Sequence, residues 1–215
     1  MKKNILVIIR RGFLEFEYIL PLLKKFNEKY DINTVFLNNK SFKSLKNNSY
    51  LFKEWKKINN NYYIQNKLDF FFYKLINYLL LKINLKILNN FREKINLKLH
   101  NPKILLKKLK IDYMDNLKYI FTEYGNFSVW LKNFYISKKR PRIIFFPSAP
   151  QIFLYKKLKN KDKKKLNGDL LLTISSEDER YWSQFIHSSK IKPIGVPGFD
   201  YARFISKPKK KYKKT

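Results

Sequence analysis

Short, continuously apolar runs alternate with amphipathic segments near the start of the chain. Ile5–Ile9 and Ile32–Leu37 are two such runs, and runs of this kind are typical of parallel strands that are covered on both faces. Between them, apolar residues recur at steps of three and four, which predicts a helix over residues 14 to 29. The opening of the chain therefore predicts a strand–helix–strand unit with a right-handed crossover.

The same alternation returns in the second half of the chain. Four further apolar runs predict strands: Leu117–Phe121, Arg142–Phe146, Leu170–Ile174 and Ile191–Ile194. Ser175 and Ser176 follow the third of these runs and precede three acids, which is the pattern of a capped helix start. We expect an α/β fold, namely a Rossmann-like parallel sheet of about six strands with helices on both faces.

The region between the two halves is basic and amphipathic. A helix is predicted over Tyr50–Ile58, followed by an Asn-rich turn at Asn59–Asn61. Residues 66–111 carry apolar side chains at helical spacing together with eleven Lys or Arg and two acids, and they predict a helical basic insertion in which Asn101-Pro102 ends the helix. The apolar face of this insertion either packs on the sheet or docks on an anionic membrane surface.

Composition excludes several classes of protein and of site. Of the 215 residues, 45% are hydrophobic, which is too many for a disordered chain. Cysteine is absent and the only histidines are His100 and His187, so we expect no metal site in this chain. The N-terminal apolar run is too short for a signal peptide, and no uncharged apolar stretch of about 18 residues occurs. We expect a cytoplasmic protein that could lie peripherally on the inner face of the membrane.

The formal net charge of +31 has a compositional explanation. Only seven of the 47 basic residues are Arg, although Arg is the side chain that recognises phosphates and bases through paired hydrogen bonds. Lys, Asn, Ile, Phe and Tyr together supply 119 residues against two Ala, which is the bias of a genome poor in G and C. We therefore do not expect nucleic acid to be the partner.

Polar clusters follow four of the predicted strands, at the strand ends where ligands bind in open parallel sheets. They are Arg10-Arg11-Gly12 with Glu15; residues 122–126 with Glu123 and Tyr124; residues 147–150 with Ser148; and Ser175-Ser176. Because the carboxyl ends of parallel strands share one edge, we expect the clusters to converge on one rim. Neither G-x-G-x-x-G nor a P-loop motif is present, so a standard dinucleotide or P-loop site is not predicted.

The clusters have a functional and a structural interpretation. Arg10, Arg11 and Gly12 suit a phosphate bound by guanidinium groups and by the amides of a helix start, or they are solvated residues at a strand end. Glu15 and Glu123 are candidate catalytic bases for an acceptor hydroxyl, or residues of a first helical turn. The remaining candidate substrate contacts are Tyr124, Ser148, Ser175 and Ser176.

Two segments carry a resemblance to a known family. Leu6–Leu23 contains Arg-Arg-Gly and then Glu before Pro-Leu-Leu, and Gly168–Asp200 runs from a strand that ends in serines to Gly-x-Pro-x-x-Asp. Both segments resemble the GT-B-fold proteins of surface polysaccharide biosynthesis, of the CDP-glycerol glycerophosphotransferase-like and UDP-N-acetylglucosamine 2-epimerase-like kinds. That family often has His-Gly after the strand corresponding to Arg142–Phe146. This chain has Pro-Ser-Ala-Pro there, so a catalytic histidine has no counterpart.

The resemblance implies two Rossmann-like domains that face a cleft. Residues 1–200 would form the N-terminal, acceptor-side domain and residues 201–215 a basic linker or tail, with a hinge at Gly195, Pro197 and Asp200. The C-terminal nucleotide-binding domain would be missing from these 215 residues. The implied function is the acceptor-binding half of a glycosyl- or glycerophospho-transferase. Such an enzyme takes a nucleotide-activated donor and a glycan or lipid-linked acceptor, and this half would hold no cofactor of its own.

Two other functions stay open. One is half of a nucleotide-sugar 2-epimerase-like enzyme, which would need further carboxylates and a histidine from the other domain. The other is a non-catalytic basic module that binds membrane or nucleic acid. Such a module would bind through residues 1–215 alone, without any donor nucleotide.

Overall fold

A parallel sheet forms the centre of the molecule. The computed structural model describes residues 2–65, 78, 101–111, 114–123, 131, 134, 140–147, 168–184 and 187–195. These residues contain seven strands: β1 (Lys3–Ile9), β2 (Tyr30–Phe36), β3 (Asn59–Ile64), β4 (Leu117–Glu123), β5 (Arg142–Phe146), β6 (Leu170–Thr173) and β7 (Ile191–Pro193). Their order across the sheet is β3-β2-β1-β4-β5-β6-β7, and every neighbouring pair is parallel. The predicted open α/β sheet is confirmed.

Helices connect the strands. Within the described residues they are α1 (Phe13–Asn27), α2 (Asn39–Asn47), α3 (Ser49–Ile58), α4 (Pro102–Lys108) and α5 (Ser176–Ser183), with 3-10 turns at Met114–Asn116 and Ser188–Lys190. α1 continues through Pro21, so this proline neither ends the helix nor delays its start. α2 was not predicted. It buries only Ser41 and Leu45, and its N-cap is Asn38, whose side chain accepts a hydrogen bond from the Ser41 N–H.

Apolar side chains alternate between the two faces of the sheet. Val7 of β1 packs with α1 and α3 on one face, whereas Leu6 packs on the other face with α4 and α5. Trp55 of α3 and Leu105 of α4 are buried on these opposite faces. The helices therefore cover both faces, as the sequence predicted.

The Asn-rich segment after α3 is a strand, so the prediction of a turn at Asn59–Asn61 was wrong and the sheet has seven strands rather than about six. Side-chain amides make this polar sequence compatible with an edge strand. The Asn61 amide donates to Asn33 Oδ1 at 3.3 Å, and the Thr34 hydroxyl donates to Asn59 Oδ1 at 2.7 Å. Tyr62, the next residue in β3, adds an aromatic ring that stacks on Phe42 of α2.

Asn101-Pro102 begins a helix, and this corrects the prediction that it ends one. Asn101 is the N-cap of α4 and its side chain accepts from the Lys103 N–H at 2.9 Å. Pro102 occupies the first helical position, where its missing N–H and fixed φ cost nothing. The same dipeptide thus serves as a helix start, which the preference of pre-proline residues for extended backbone also allows.

Other predictions fall outside the described part of the chain. These are most of the helical insertion, at residues 66–77 and 79–100, the linker or tail at 201–215, and the candidate residues Tyr124, Ser148, Pro197 and Asp200. Within the described residues, no helix is long and apolar enough to cross a membrane.

The order in which strands are added to the sheet reverses between β1 and β4, and we call this position the reversal point of the sheet. β2 and β3 lie on one side of β1, and β4 to β7 lie on the other. Such a reversal opens a crevice beyond the carboxyl ends of the two central strands, and ligands bind there in open α/β sheets. Ile8 of β1 is in register with Thr122 of β4, so Arg10 and Glu123 end up side by side at this crevice.

Candidate functional site

The turn between β1 and α1 is built around the carboxylate of Glu15. Its Oε2 atom accepts three backbone N–H groups, from Arg10 at 2.7 Å, Arg11 at 2.7 Å and Gly12 at 3.2 Å. Glu15 is the third residue of α1 and Gly12 is the N-cap, so the contact to Gly12 is one half of a capping box. The turn is thereby fixed by a side chain that the solvent does not reach.

Gly12 is required by the shape of this turn. Its φ of 91° lies in the left-handed region, and a Cβ placed on it would lie 2.5 Å from the Ser41 carbonyl oxygen and 2.8 Å from the Ser44 Cβ. α2 therefore packs directly against the turn. The contact is polar as well as close, because the Ser41 hydroxyl and the Asn38 amide both donate to the Arg10 carbonyl oxygen.

Two guanidinium groups meet one buried carboxylate at the crevice. Arg10 Nη2 lies 3.0 Å from Glu123 Oε2, and Arg11 Nε lies 3.1 Å from Glu123 Oε1. Glu123 was predicted to follow the strand Leu117–Phe121, but β4 extends to it and it is completely buried. The arginine side chains are 39% and 46% exposed, so part of each guanidinium still faces solvent.

The second oxygen of Glu15 has no partner. Among the described residues, Glu15 Oε1 is the buried side-chain atom that makes no hydrogen bond. Burial raises the pKa of Glu15 to about 8, and the charge of Glu123 adds to the rise, against the lowering effect of the three backbone N–H groups. At neutral pH Glu15 is therefore largely protonated, and two guanidinium groups face a single negative charge. The turn carries an excess of positive charge at the start of a helix, which is an arrangement that attracts anions.

The polar residues that follow β6 lie at the start of a helix. Ser175 is the N-cap of α5, and its Oγ accepts from the Asp178 N–H at 3.2 Å. Ser176 is the first residue of that helix, which follows β6, and β6 is separated from β4 by β5. Ser175 and Ser176 follow β6 at the same edge of the sheet as the arginines, with β5 between β6 and β4. Gly195, a residue of the predicted hinge, has a φ of 70°, and no atom of the described residues lies within 4 Å of a Cβ placed on it.

Sequence reasoning missed a second group of residues beside the turn. An open cleft of about 690 Å³ lies between the start of α1, α2 and the start of α3. Its lining consists of Phe13, Lys40, Lys43, Ser44, Asn47, Asn48 and Ser49. The spacing of positions 40, 43, 44 and 47 is that of one face of a helix and could have indicated the group, had α2 been recognised. Within the described residues no cluster of three or more His, Cys, Asp or Glu could hold a metal ion.

The comparisons with known proteins are distant. No protein-family model matches the chain, and no curated protein matches it in sequence. The chain is similar in structure to TcCGT1 in complex with UDP, with 10% identity over 92% of this chain and 51% of that one, and a TM-score of 0.48. It is also similar to a putative short chain dehydrogenase from Escherichia coli CFT073 complexed with NADPH, with 9% identity over 89% and 95% of the chains and a TM-score of 0.28.

The chain spans about half the length of TcCGT1. Similarities at this level carry no conclusion about function, and the α/β assignment rests on the sheet topology.

Proposed function

We propose that this chain is the acceptor-binding half of a transferase that moves a sugar or glycerol phosphate from a nucleotide-activated donor to a surface glycan or its lipid-linked precursor. The observation that carries the proposal is the placement of Arg10 and Arg11 on Glu123 at the reversal point of the sheet. An anion is the ligand that such a turn would take. The surface-polysaccharide context and the donor class come from the resemblance of Leu6–Leu23 and Gly168–Asp200.

In this proposal the arginines bind a phosphate group of the acceptor or donor. Each guanidinium has five N–H donors in a planar fork and uses only a part of them on Glu123. The remaining, solvent-facing donors match the oxygens of a phosphate. Glu123 acts as a positioning residue, because both of its oxygens are engaged by the guanidinium groups and it holds them at the crevice.

Glu15 is the better of the two candidate bases. Its Oε1 atom is uncommitted, whereas both Glu123 oxygens are occupied. A base works best when its pKa lies near the working pH, and with a pKa of about 8 Glu15 keeps a minor ionised fraction at neutral pH, which is the form that would accept the proton. Since Glu15 is completely buried, an acceptor hydroxyl reaches Oε1 only if the turn opens when the acceptor binds.

Binding of phosphate-bearing ligands by the chain alone tests the acceptor-side assignment. Calorimetric titration with pyrophosphate and with a short-chain prenyl phosphate should give binding that Arg10→Gln/Arg11→Gln weakens by about tenfold or more at constant ionic strength. The control Lys103→Gln/Lys107→Gln makes the same charge change on α4, which packs on the opposite face of the sheet. Equal losses in the two double variants would show that only the overall charge matters and would contradict the proposal.

Transfer itself requires a donor-binding partner in this account. A labelled nucleotide-activated donor and a lipid-linked acceptor should give labelled acceptor only when the chain is combined with a nucleotide-binding domain. Inversion of the donor sugar at C2 without transfer would instead favour the epimerase-like alternative.

A further inference from the structure

The cleft beside the arginine turn has a distinct chemical lining. Lys40, Lys43, Ser44 and Asn47 occur at steps of three and four along α2, so their side chains form one stripe of that helix. The buried residues Ser41 and Leu45 lie on a different stripe of the same helix. The cleft therefore presents two ammonium groups, a hydroxyl and an amide on one wall.

The lysines of the cleft have no acidic neighbour in the described part of the chain. Among these residues no acid lines the cleft, and neither Lys40 nor Lys43 forms an ion pair or side-chain hydrogen bond. By contrast, Lys24 and Lys57, on the adjoining helices α1 and α3, are both paired with Glu54. The charge of the cleft is thus available to a ligand.

The other wall supplies an aromatic surface and further polar groups. Phe13 is half-buried at the first position of α1, immediately after Gly12. Asn48 and Ser49 complete the lining at the start of α3. An aromatic ring offers an apolar contact for the C–H face of a sugar, while amides and hydroxyls suit its hydroxyl groups. The volume of about 690 Å³ lies within the range of small-ligand sites.

The cleft and the arginine turn are contiguous. Phe13 belongs to the cleft and follows the turn directly, and the Ser44 Oγ lies 2.9 Å from the position that a Cβ of Gly12 would take. A ligand with a phosphate at Arg10 and Arg11 would therefore extend over Phe13 towards α2. Its next groups would meet Lys40 and Lys43.

The geometry points to an acceptor subsite in this cleft that binds an acidic sugar unit, a ring bearing a phosphate or carboxylate group, with Lys40 and Lys43 holding the anion and Phe13 contacting the ring. This inference rests on the proposed function and names the class of acceptor for it, namely an anionic glycan. Two neighbouring cations without acids favour such a unit over a neutral one.

Three soluble sugars test whether the cleft binds a phosphate, a carboxylate or neither. Glucose 6-phosphate, glucuronate and glucose are titrated into the protein and followed by NMR line shifts or calorimetry at fixed ionic strength. The two acidic sugars should bind and glucose should bind at least about tenfold more weakly. Preference for only one of the acids would identify the anion as phosphate or as carboxylate and supports the subsite in either case.

Matched double variants place the binding in the cleft. Lys40→Gln/Lys43→Gln should weaken the acidic sugars by about tenfold, and Lys103→Gln/Lys107→Gln, on α4, should change their affinity by less than about twofold. Equal effects of the two variants, or equal affinity for glucose and the acidic sugars, would overturn the inference. If pyrophosphate still binds in an Arg10- and Arg11-dependent way, the proposed function survives that failure. If pyrophosphate binding fails as well, both are wrong.

Discussion

Arg11 Nε lies 3.1 Å from Glu123 Oε1, although 112 residues separate the two positions and only the carboxylate is buried. Arg10 contacts the other oxygen of the same carboxylate. A buried carboxylate needs partners to remain charged, and here the partners are the two residues that the turn presents to solvent. The two ion pairs of Glu123 therefore stabilise the fold and also hold the positive charge of Arg10 and Arg11 at the crevice.

Replacing Glu123 by Gln should destabilise the protein by about 1–2 kcal/mol. The change leaves two guanidinium groups without their anion, but their exposure lets water replace part of the lost interaction. Urea denaturation at pH 7 measures the effect. The control Glu17→Gln, at an exposed position of α1, should change the free energy of unfolding by less than about 0.5 kcal/mol. A Glu123→Gln protein as stable as the control would mean that the pair contributes nothing.

Glu15→Gln should remove a pH dependence of stability. The pKa of Glu15 is about 8 in the folded protein against an ordinary 4.5, so the folded state binds this proton more tightly than the unfolded chain. The stabilisation is complete below the ordinary value and is lost as the pH rises from there through about 8. Over this window the free energy of unfolding falls by at most about 1.4 kcal/mol per pH unit.

Denaturation between pH 5.5 and 8.5 tests this dependence. Gln keeps an oxygen for the backbone N–H groups of the turn but cannot ionise, so the slope in this window should become shallower in Glu15→Gln and remain in Glu17→Gln. Equal slopes in the two variants would contradict a raised pKa for Glu15.

Gly12→Ala should cost about 2–4 kcal/mol. The substitution adds the strain of a left-handed backbone to a close approach of Cβ to the Ser41 carbonyl oxygen. Gly195→Ala provides the comparison, because Gly195 also has a positive φ but no atom of the described residues lies within 4 Å of a Cβ placed there. That variant should lose only about 1 kcal/mol. Thermal unfolding of both proteins gives the difference, and similar losses would show that contact with α2 is unimportant.

Asp169→Asn should lower the free energy of unfolding. Asp169 lies at the amino-terminal edge of the sheet, opposite the edge that carries Arg10 and Arg11. Burial alone would raise the pKa of Asp169, but two hydrogen bonds from Arg140 and one from the Ile143 N–H hold this pKa below its ordinary 3.8. The stabilisation is present above that value and disappears as the pH falls through the lowered one. We expect a loss of about 1–3 kcal/mol at pH 7 that shrinks as the pH falls below the ordinary pKa of 3.8.

Arg140→Lys tests the geometry of the same interaction. It keeps the charge but removes one of the two parallel hydrogen bonds, and should lose less than Asp169→Asn. A loss that does not change with pH in Asp169→Asn would contradict the ionic interpretation.

The central strands were predictable because burial on both faces leaves a continuous apolar run. Ile5–Ile9 and Arg142–Phe146 are examples, and each lies within a strand of the structure. β3 was not predictable in this way, since it is an edge strand in which Asn59 and Asn61 form hydrogen bonds with Thr34 and Asn33 of the neighbouring strand. Those partners are 25 and 28 residues away, so local propensity alone indicates a turn.

The position of the site was predictable from the sequence, but the contacts between its residues were not. The shared edge of parallel strands is enough to bring Arg10 and Glu123 to one crevice. Both arginines contact one carboxylate because β4 extends to Glu123. The burial of Glu15 beneath the β1–α1 turn depends on the packing of α2 against Gly12. Neither is encoded in a short motif. The strand order brings Arg10 and Glu123 together, whereas the protonation of Glu15 and the ion pairs of Glu123 follow from how the helices pack on the sheet.

Titration of pyrophosphate into the ¹⁵N-labelled protein, followed amide by amide, tests the central claim most directly. We expect saturable shifts that are concentrated at the backbone amides of residues 10–15 and at Glu123. These shifts should disappear in Arg10→Gln/Arg11→Gln but persist in Lys103→Gln/Lys107→Gln. Shifts spread over the lysine-bearing helices, with the same pattern in both double variants, would contradict a phosphate site at the reversal point of the sheet.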